Sequence, residues 1–411
     1  MQHQTEKMPK MVTIKTVFLF VLVSVIVFAS LYSSNLIRLY TAVTLYDEDK
    51  ITENFLTLYQ NFNANQIPAS TQPFLFPEKL AQLPQTFPFD DQSINVQTFI
   101  EQSGTTGLLV IKDGNIVYED YLRGNAQDRQ HISWSMGKSF LSALFGIAIE
   151  EGYVKSIEQE VTEYVPELKG TGYDGVRIKD VLQMSSGVGF NEDYGDFYSD
   201  INRFSRAIAF GTSLDEFVAS MKRARPPGTY HHYVSIDTQV LGMVLTRALD
   251  VSLTDYLQEK IWQPLGMEYP AYWLKDDYNM ELALGGLNVT LRDYGKFGWL
   301  YANYGNYQGT QLVPIQWVLD SVTPDAPHLL PGADNPFSSS DSGYGYQWWI
   351  PQGAADEFAA QGIYHQYIYI DPDQKLVIVK TSANHLYNDK SYQWGAKHYA
   401  LFRAIEQHFR D

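Results

Sequence analysis

The apolar and polar residues of this chain alternate in four distinct ways, and each way predicts a different element. From Val17 to Tyr32 the chain is almost continuously apolar, and no charged residue occurs between Thr16 and Ile37. A helix rising about 1.5 Å per residue could nearly cross a hydrocarbon core of about 30 Å with such a run. From Asn61 to Pro88 the apolar positions are diluted by Asn and Gln and broken by Pro68, Pro73, Pro77, Pro84 and Pro88. Prolines so spaced prevent regular helix or central strand, so residues 38–87 are expected to form an extended arm. A third pattern is the paired β-rich run. Leu108 to Tyr118 turns about Asp113-Gly114, and Tyr367 to Thr381 turns about Asp371-Pro-Asp-Gln374, so each predicts a hairpin. The fourth is the apolar run Phe140 to Ile149, halted by Glu150-Glu151-Gly152, which opens a largely helical middle from about residue 136 to 320. Strands near both ends of the domain and helices between them predict an α/β fold. One antiparallel sheet is built from both sequence ends and flanked by helices, with a helical lobe inserted.

Charge adds location to this picture. Lys7, Lys10 and Lys15 precede the first apolar run, and Asp47, Glu48 and Asp49 follow it. The positive-inside bias then makes residues 1–15 a cytoplasmic tail, residues 16–37 a membrane anchor, and residues 88–411 a folded domain on the periplasmic or extracellular side. The competing reading is a cleaved signal peptide, with Val27-Phe-Ala29 as the small-residue site. With 411 residues, 45% of them hydrophobic, the chain can bury a large core. A net charge of -17 argues against nucleic acid or anionic membrane surfaces as partners. Cysteine is absent, which removes disulfides, a thiolate nucleophile and sulfur metal sites. Nothing in the sequence sets an oligomeric state.

The chemistry concentrates in His131-Ile-Ser-Trp-Ser-Met-Gly-Lys138. Ser135 and Lys138 form the only Ser-x-x-Lys in the chain, and residues three apart share a helix face. A lysine amine held there can take the proton that makes a serine hydroxyl nucleophilic, and free N–H groups at the helix start, including that of Ser135, favour an oxyanion. Tyr233-Val-Ser235 follows the rigid turn Pro226-Pro-Gly228, which separates it from the other Tyr-x-Ser and Tyr-x-Asn triplets of this tyrosine-rich chain. No Gly-x-Ser-x-Gly elbow occurs. His231-His232 lacks a carboxylate or Cys at ligand spacing, so no metal is expected. Glu192, Asp193, Asp196 and Asp200 alternate with Tyr194, Phe197 and Tyr198; this acidic aromatic loop reads either as a solvated lid or as a rim for an amine-bearing substrate, with Tyr194 touching substrate.

At these residues the sequence resembles the penicillin-binding-protein and class C β-lactamase superfamily, and most closely its esterase and 6-aminohexanoate-oligomer hydrolase branch. The resemblance runs from roughly Pro88 to the C-terminus. It includes Leu182-Gln-Met-Ser-Ser-Gly187, Pro264-Leu-Gly-Met267 with Trp273, Gly285-Gly-Leu-Asn288 with Arg292-Asp-Tyr294, and Gly343-Tyr-Gly-Tyr-Gln-Trp-Trp349. The superfamily's Lys-Thr-Gly motif is missing, and Ala360-Gln-Gly-Ile-Tyr-His-Gln366 stands in its place. The resemblance implies a β-lactamase-like fold and a serine hydrolase that cleaves a small-molecule ester or amide through an acyl-Ser135 intermediate. It gives the proton relay to Lys138 and Tyr233, a supporting role to Ser235, the second oxyanion N–H to Ile363 and a substrate contact to His365. No metal or organic cofactor is implied. The alternatives are a DD-peptidase or β-lactamase, or a penicillin-sensor-like binding protein that acylates without turnover; the missing Lys-Thr-Gly, which offers no cation to a substrate carboxylate, weighs against them.

Overall fold

The computed structural model describes residues 17–24 and 33–410. Helices α1 (Ser33–Val43) and α2 (Ile51–Asn61) and strand β1 (Ala64–Ile67) lead into the hairpin of β2 (Thr105–Lys112) and β3 (Asn115–Tyr121). Strand β4 (His131–Ile132) then runs into helix α3 (Gly137–Glu150), and helices α4 (Asp200–Ala209) and α5 (Ile236–Leu249) belong to the helical middle. Strands β5 (Ala271–Leu274) and β6 (Leu287–Val289) precede helix α6 (Leu291–Ala302). The chain closes with β7 (Gly343–Tyr344), β8 (Trp349–Ile350), β9 (Phe358–Gly362), β10 (Gln366–Asp371), β11 (Leu376–Ser382) and helix α7 (Trp394–Arg410).

The main sheet has seven strands in the order β7-β8-β9-β10-β11-β2-β3, and every neighbouring pair is antiparallel. Both expected hairpins are present. Asp113 and Gly114 take φ of 50° and 73°, the left-handed pair that a tight hairpin turn demands. The central strands read as unbroken apolar runs because both faces are covered. Leu109, Ile111, Ile368 and Val377 face the core that contains α6, while Leu108, Val110, Tyr369 and Ile378 pack with Leu401, Phe402 and Ile405 of α7. The sheet is thus built from both ends of the domain and flanked by helices, the expected α/β arrangement.

Two expectations change. Residues 38–87 are not one extended arm: α2 buries Ile51, Phe55, Leu56 and Leu58, and β1 pairs antiparallel with β5. Positions 51, 55 and 58 are the i, i+4, i+7 spacing of a helix face, and burying each such side chain contributes roughly 1.5–3 kcal/mol. The proline-rich part between β1 and residue 85 is irregular and contains no helix. The helical middle also contributes strands, since β5 and β6 join β1 and β4 in a second, four-stranded antiparallel sheet of order β1-β5-β6-β4. Of the expected anchor, residues 17–24 are helical and 33–37 belong to α1, while 16 and 25–32, like the expected tail 1–15, lie outside the described residues. Among the described residues no helix is long and apolar enough to cross a membrane.

Candidate active site

The site begins where β4 ends. Ser133 donates its N–H to Leu287 O at 2.7 Å, which ties the turn Trp134–Met136 to the second sheet. Trp134 takes φ of 43°, a left-handed conformation uncommon for a bulky residue and one that persists only where its surroundings enforce it. They do: the indole lies 5.2 Å from the Phe55 ring and 6.2 Å from those of Tyr46 and Tyr364. Helix α3 follows, with residues 137–148 all buried, so Ser135 stands on a rigid support.

Lys138 is buried, with its Nζ 3.0 Å from Ser135 Oγ and 3.2 Å from Ser235 Oγ; it donates to Leu284 O at 2.5 Å. Desolvation drives its pKa down to about 7, against a partial upward pull from Glu192. Ser235 donates its hydroxyl to Glu192 Oε1 at 2.5 Å, so its oxygen accepts from Lys138. A neutral Lys138 has two N–H donors, which Leu284 O and Ser235 Oγ occupy. Its lone pair is left for the Ser135 hydroxyl.

Tyr233 sits just before α5. Its ring stacks on Trp349 at 5.1 Å, and Lys138 Nζ lies 5.5 Å from its centre. Burial, reinforced by Glu192, holds its pKa above the ordinary tyrosine value, so it is a neutral phenol. The loop bearing it is fixed from the Ser-Ser-Gly187 element: Gly228 N–H donates to Ser185 O at 2.8 Å and His232 N–H to Met184 O at 3.0 Å.

Ile363, just past β9, borders the same pocket as Ser135. A Cβ on Gly362 would meet Ser133 O at 2.7 Å, so glycine is what lets this sheet edge approach the turn that carries Ser135. Tyr194 lines the pocket too, and its hydroxyl donates to Glu192 Oε1 at 2.9 Å. The remaining lining is apolar: Tyr46, Trp134, Ile201, Phe204, Ile208, Leu282 and Leu284, with Ser205 and Gly285.

The structure brings Ser135, Lys138, Tyr233, Ser235, Tyr194 and Ile363 together. His365 goes elsewhere. Its ring lies 4.7 Å from His398 and 5.1 Å from Trp394 of α7, off the pocket lining, and burial, with Lys380 nearby, lowers its pKa to about 2. Tyr364 and His365 both take left-handed φ in the tight turn after β9, which swings residue 365 toward α7. The expected substrate contact is therefore corrected to a packing position. Glu192, expected in either a solvated lid or a rim for an amine-bearing substrate, instead bonds Ser235 beside Lys138. Its neighbours Asp193, Asp196 and Asp200 accept N–H groups of their own loop. Of the tryptophan pair, Trp348 is core and Trp349 supports Tyr233.

The sequence pattern of the Beta-lactamase family matches residues 95–400. The chain belongs to that family. Members similar to it include the 6-aminohexanoate-dimer hydrolase of Paenarthrobacter ureafaciens, 29% identical over 293 residues that make up 69% of this chain and 74% of that protein. Among solved structures, one from Bacillus anthracis, provisionally assigned as a 6-aminohexanoate-dimer hydrolase, superposes with a TM-score of 0.79 at 24% identity and covers 89% of this chain and 96% of its own. The octameric penicillin-binding protein homologue of Pyrococcus abyssi has a TM-score of 0.53 at 19% identity, covering 71% and 72%. At these identities the two structures show the β-lactamase-family fold.

Proposed function

We propose that this member of the β-lactamase family is a serine hydrolase that cleaves a small-molecule ester or amide through acyl-Ser135. The buried Lys138, 3.0 Å from Ser135 Oγ and held by Ser235 Oγ and Leu284 O, carries the reading. Ser135 Oγ attacks the carbonyl carbon while its proton passes to Lys138 Nζ, and the N–H groups of Ser135 and Ile363 hold the oxyanion. The bond to the leaving group breaks as Tyr233 Oη protonates it, and the proton on Lys138 restores the phenol. Water then attacks the acyl-enzyme, gives a proton to the same relay, and releases the acid and free Ser135.

Intact-mass spectrometry with p-nitrophenyl acetate, the linear 6-aminohexanoate dimer and a penicillin tests it. A transient acetyl adduct mapped to Ser135 with continuing release of p-nitrophenol is expected. A stable penicilloyl adduct without turnover points to a sensor, and no adduct or hydrolysis with any of the three overturns the reading.

The proposal includes a location. The uncharged run from Thr16 to Ile37, with lysines before it and acidic residues after it, supports an anchor that leaves the catalytic domain outside the cytoplasm. Detergent-dependent extraction of a chain retaining residues 1–15 is expected, whereas a soluble form beginning near Ser30 would identify a cleaved signal peptide instead.

A further inference from the structure

The pocket beside Ser135 is completed from outside the segment that carries the family pattern. Tyr46, in the loop between α1 and α2, precedes residues 95–400, yet it lines the pocket. Its ring stacks on Tyr364 at 5.1 Å and 20° and lies 6.2 Å from Trp134. Tyr46 therefore bridges the residue before Ser135 and the residue after Ile363, the two positions that supply the oxyanion N–H groups. Phe204 and Ile208 of α4 and Leu282 and Leu284 complete the apolar walls, and no charged side chain lines them.

The free volume left inside is about 30 Å³. So small a free space admits a short group rather than a long chain. Its place fits the acyl part of a substrate. In acylation the leaving group must depart before water attacks, and a group lodged in this narrow pocket would have to escape past the ester on Ser135.

Building on the acyl-Ser135 reading, we infer that the enzyme takes substrates with a short, uncharged, apolar acyl group, and that Tyr46 sets the limit on its length. The long ammonium-bearing acyl chain of the linear 6-aminohexanoate dimer has no carboxylate in the lining to pair with, and it exceeds the free volume. That compound is expected to be a poor substrate.

The test compares kcat/KM for p-nitrophenyl acetate, butyrate, hexanoate and octanoate in the full chain, Tyr46→Ala, Tyr46→Phe and Phe204→Ala. The wild-type value is expected to fall at least about tenfold from acetate to octanoate, because each excluded methylene already discriminates by about tenfold or more. Tyr46→Ala is expected to raise the octanoate-to-acetate ratio at least about tenfold, and Tyr46→Phe to retain the wild-type ratio. A ratio within one preparation is insensitive to a misfolded fraction. If Tyr46→Ala does not fold, Phe204→Ala opens the opposite wall and is expected to raise the ratio as well. Equal rates along the wild-type series, or a ratio unmoved in the opened variants, overturns this inference while acyl-Ser135 stands. Absence of any Ser135 adduct overturns both.

Discussion

Glu192 grips Ser235 twice, its Oε2 accepting the backbone N–H at 2.8 Å and its Oε1 the hydroxyl at 2.5 Å. One carboxylate thereby ties the acidic loop to the start of α5 and dictates which way the Ser235 hydroxyl points. Since Ser235 Oγ must accept from Lys138 when its own proton goes to Glu192, the pair also decides where the lysine lone pair faces.

The nucleophile is tested by Ser135→Ala. Fluorophosphonate labelling is expected to vanish and ester hydrolysis to fall by about 10³-fold or more, with circular dichroism unchanged because Ser135 is not part of the core. Labelling retained at full strength would rule out Ser135.

The lysine gives a pH dependence. Lys138 must be neutral to accept the serine proton, and its pKa is about 7, so kcat/KM is expected to rise with pH through about 7 and then level off. Stability follows with its own sign. The folded pKa lies below the ordinary 10.5, so the unfolded chain binds a proton that the folded chain lacks between about 7 and 10.5, and stability rises with pH across that window. Lys138→Met is expected to abolish the activity and flatten that part of the stability profile, measured by urea midpoints.

Glu192→Gln separates electrostatics from support. The negative charge pulls the Lys138 pKa upward against burial, so its removal is expected to move the acid limb of kcat/KM below pH 7. Loss of rate with an unmoved limb would mean that Glu192 acts through position alone.

Tyr233→Phe leaves the ring stacked on Trp349 and removes only the hydroxyl. Stopped-flow bursts with p-nitrophenyl acetate are expected to show acylation and deacylation each slowed by about 10²- to 10⁴-fold. Wild-type rates in both phases would leave Lys138 to act alone.

Gly146 tests the support beneath the nucleophile. A Cβ there would fall 2.3 Å from Trp317 Cγ, so Gly146→Ala must push the indole aside and is expected to destabilise the fold by about 1–3 kcal/mol, read as a lower urea midpoint.

Legibility from sequence followed the range of the interaction. Ser135 and Lys138 were visible because the backbone brings residues three apart to one face, and both hairpins because their turn residues and alternating strands are local. Asp113-Gly114 announces a left-handed turn wherever it occurs. The helix at 51–61 was equally local, but the prolines that follow it obscured its spacing.

Contacts made across the fold left no such trace. Glu192 reaches Ser235 across 43 positions, and an acidic residue in an aromatic loop looks the same whether water or a serine hydroxyl solvates it. Tyr46 meets Tyr364 only because α2 packs beneath the nucleophile turn, and His365 leaves the site only because α7 offers it a buried aromatic bed. The sequence by itself determined the two hairpins of the main sheet and the shared face of Ser135 and Lys138, since periodicity and turn chemistry act over a few residues. The tertiary structure alone decided which surfaces meet, and so it chose the residue that orients Ser235 and the one that closes the pocket, because complementary packing between distant segments leaves no periodic signature in the chain.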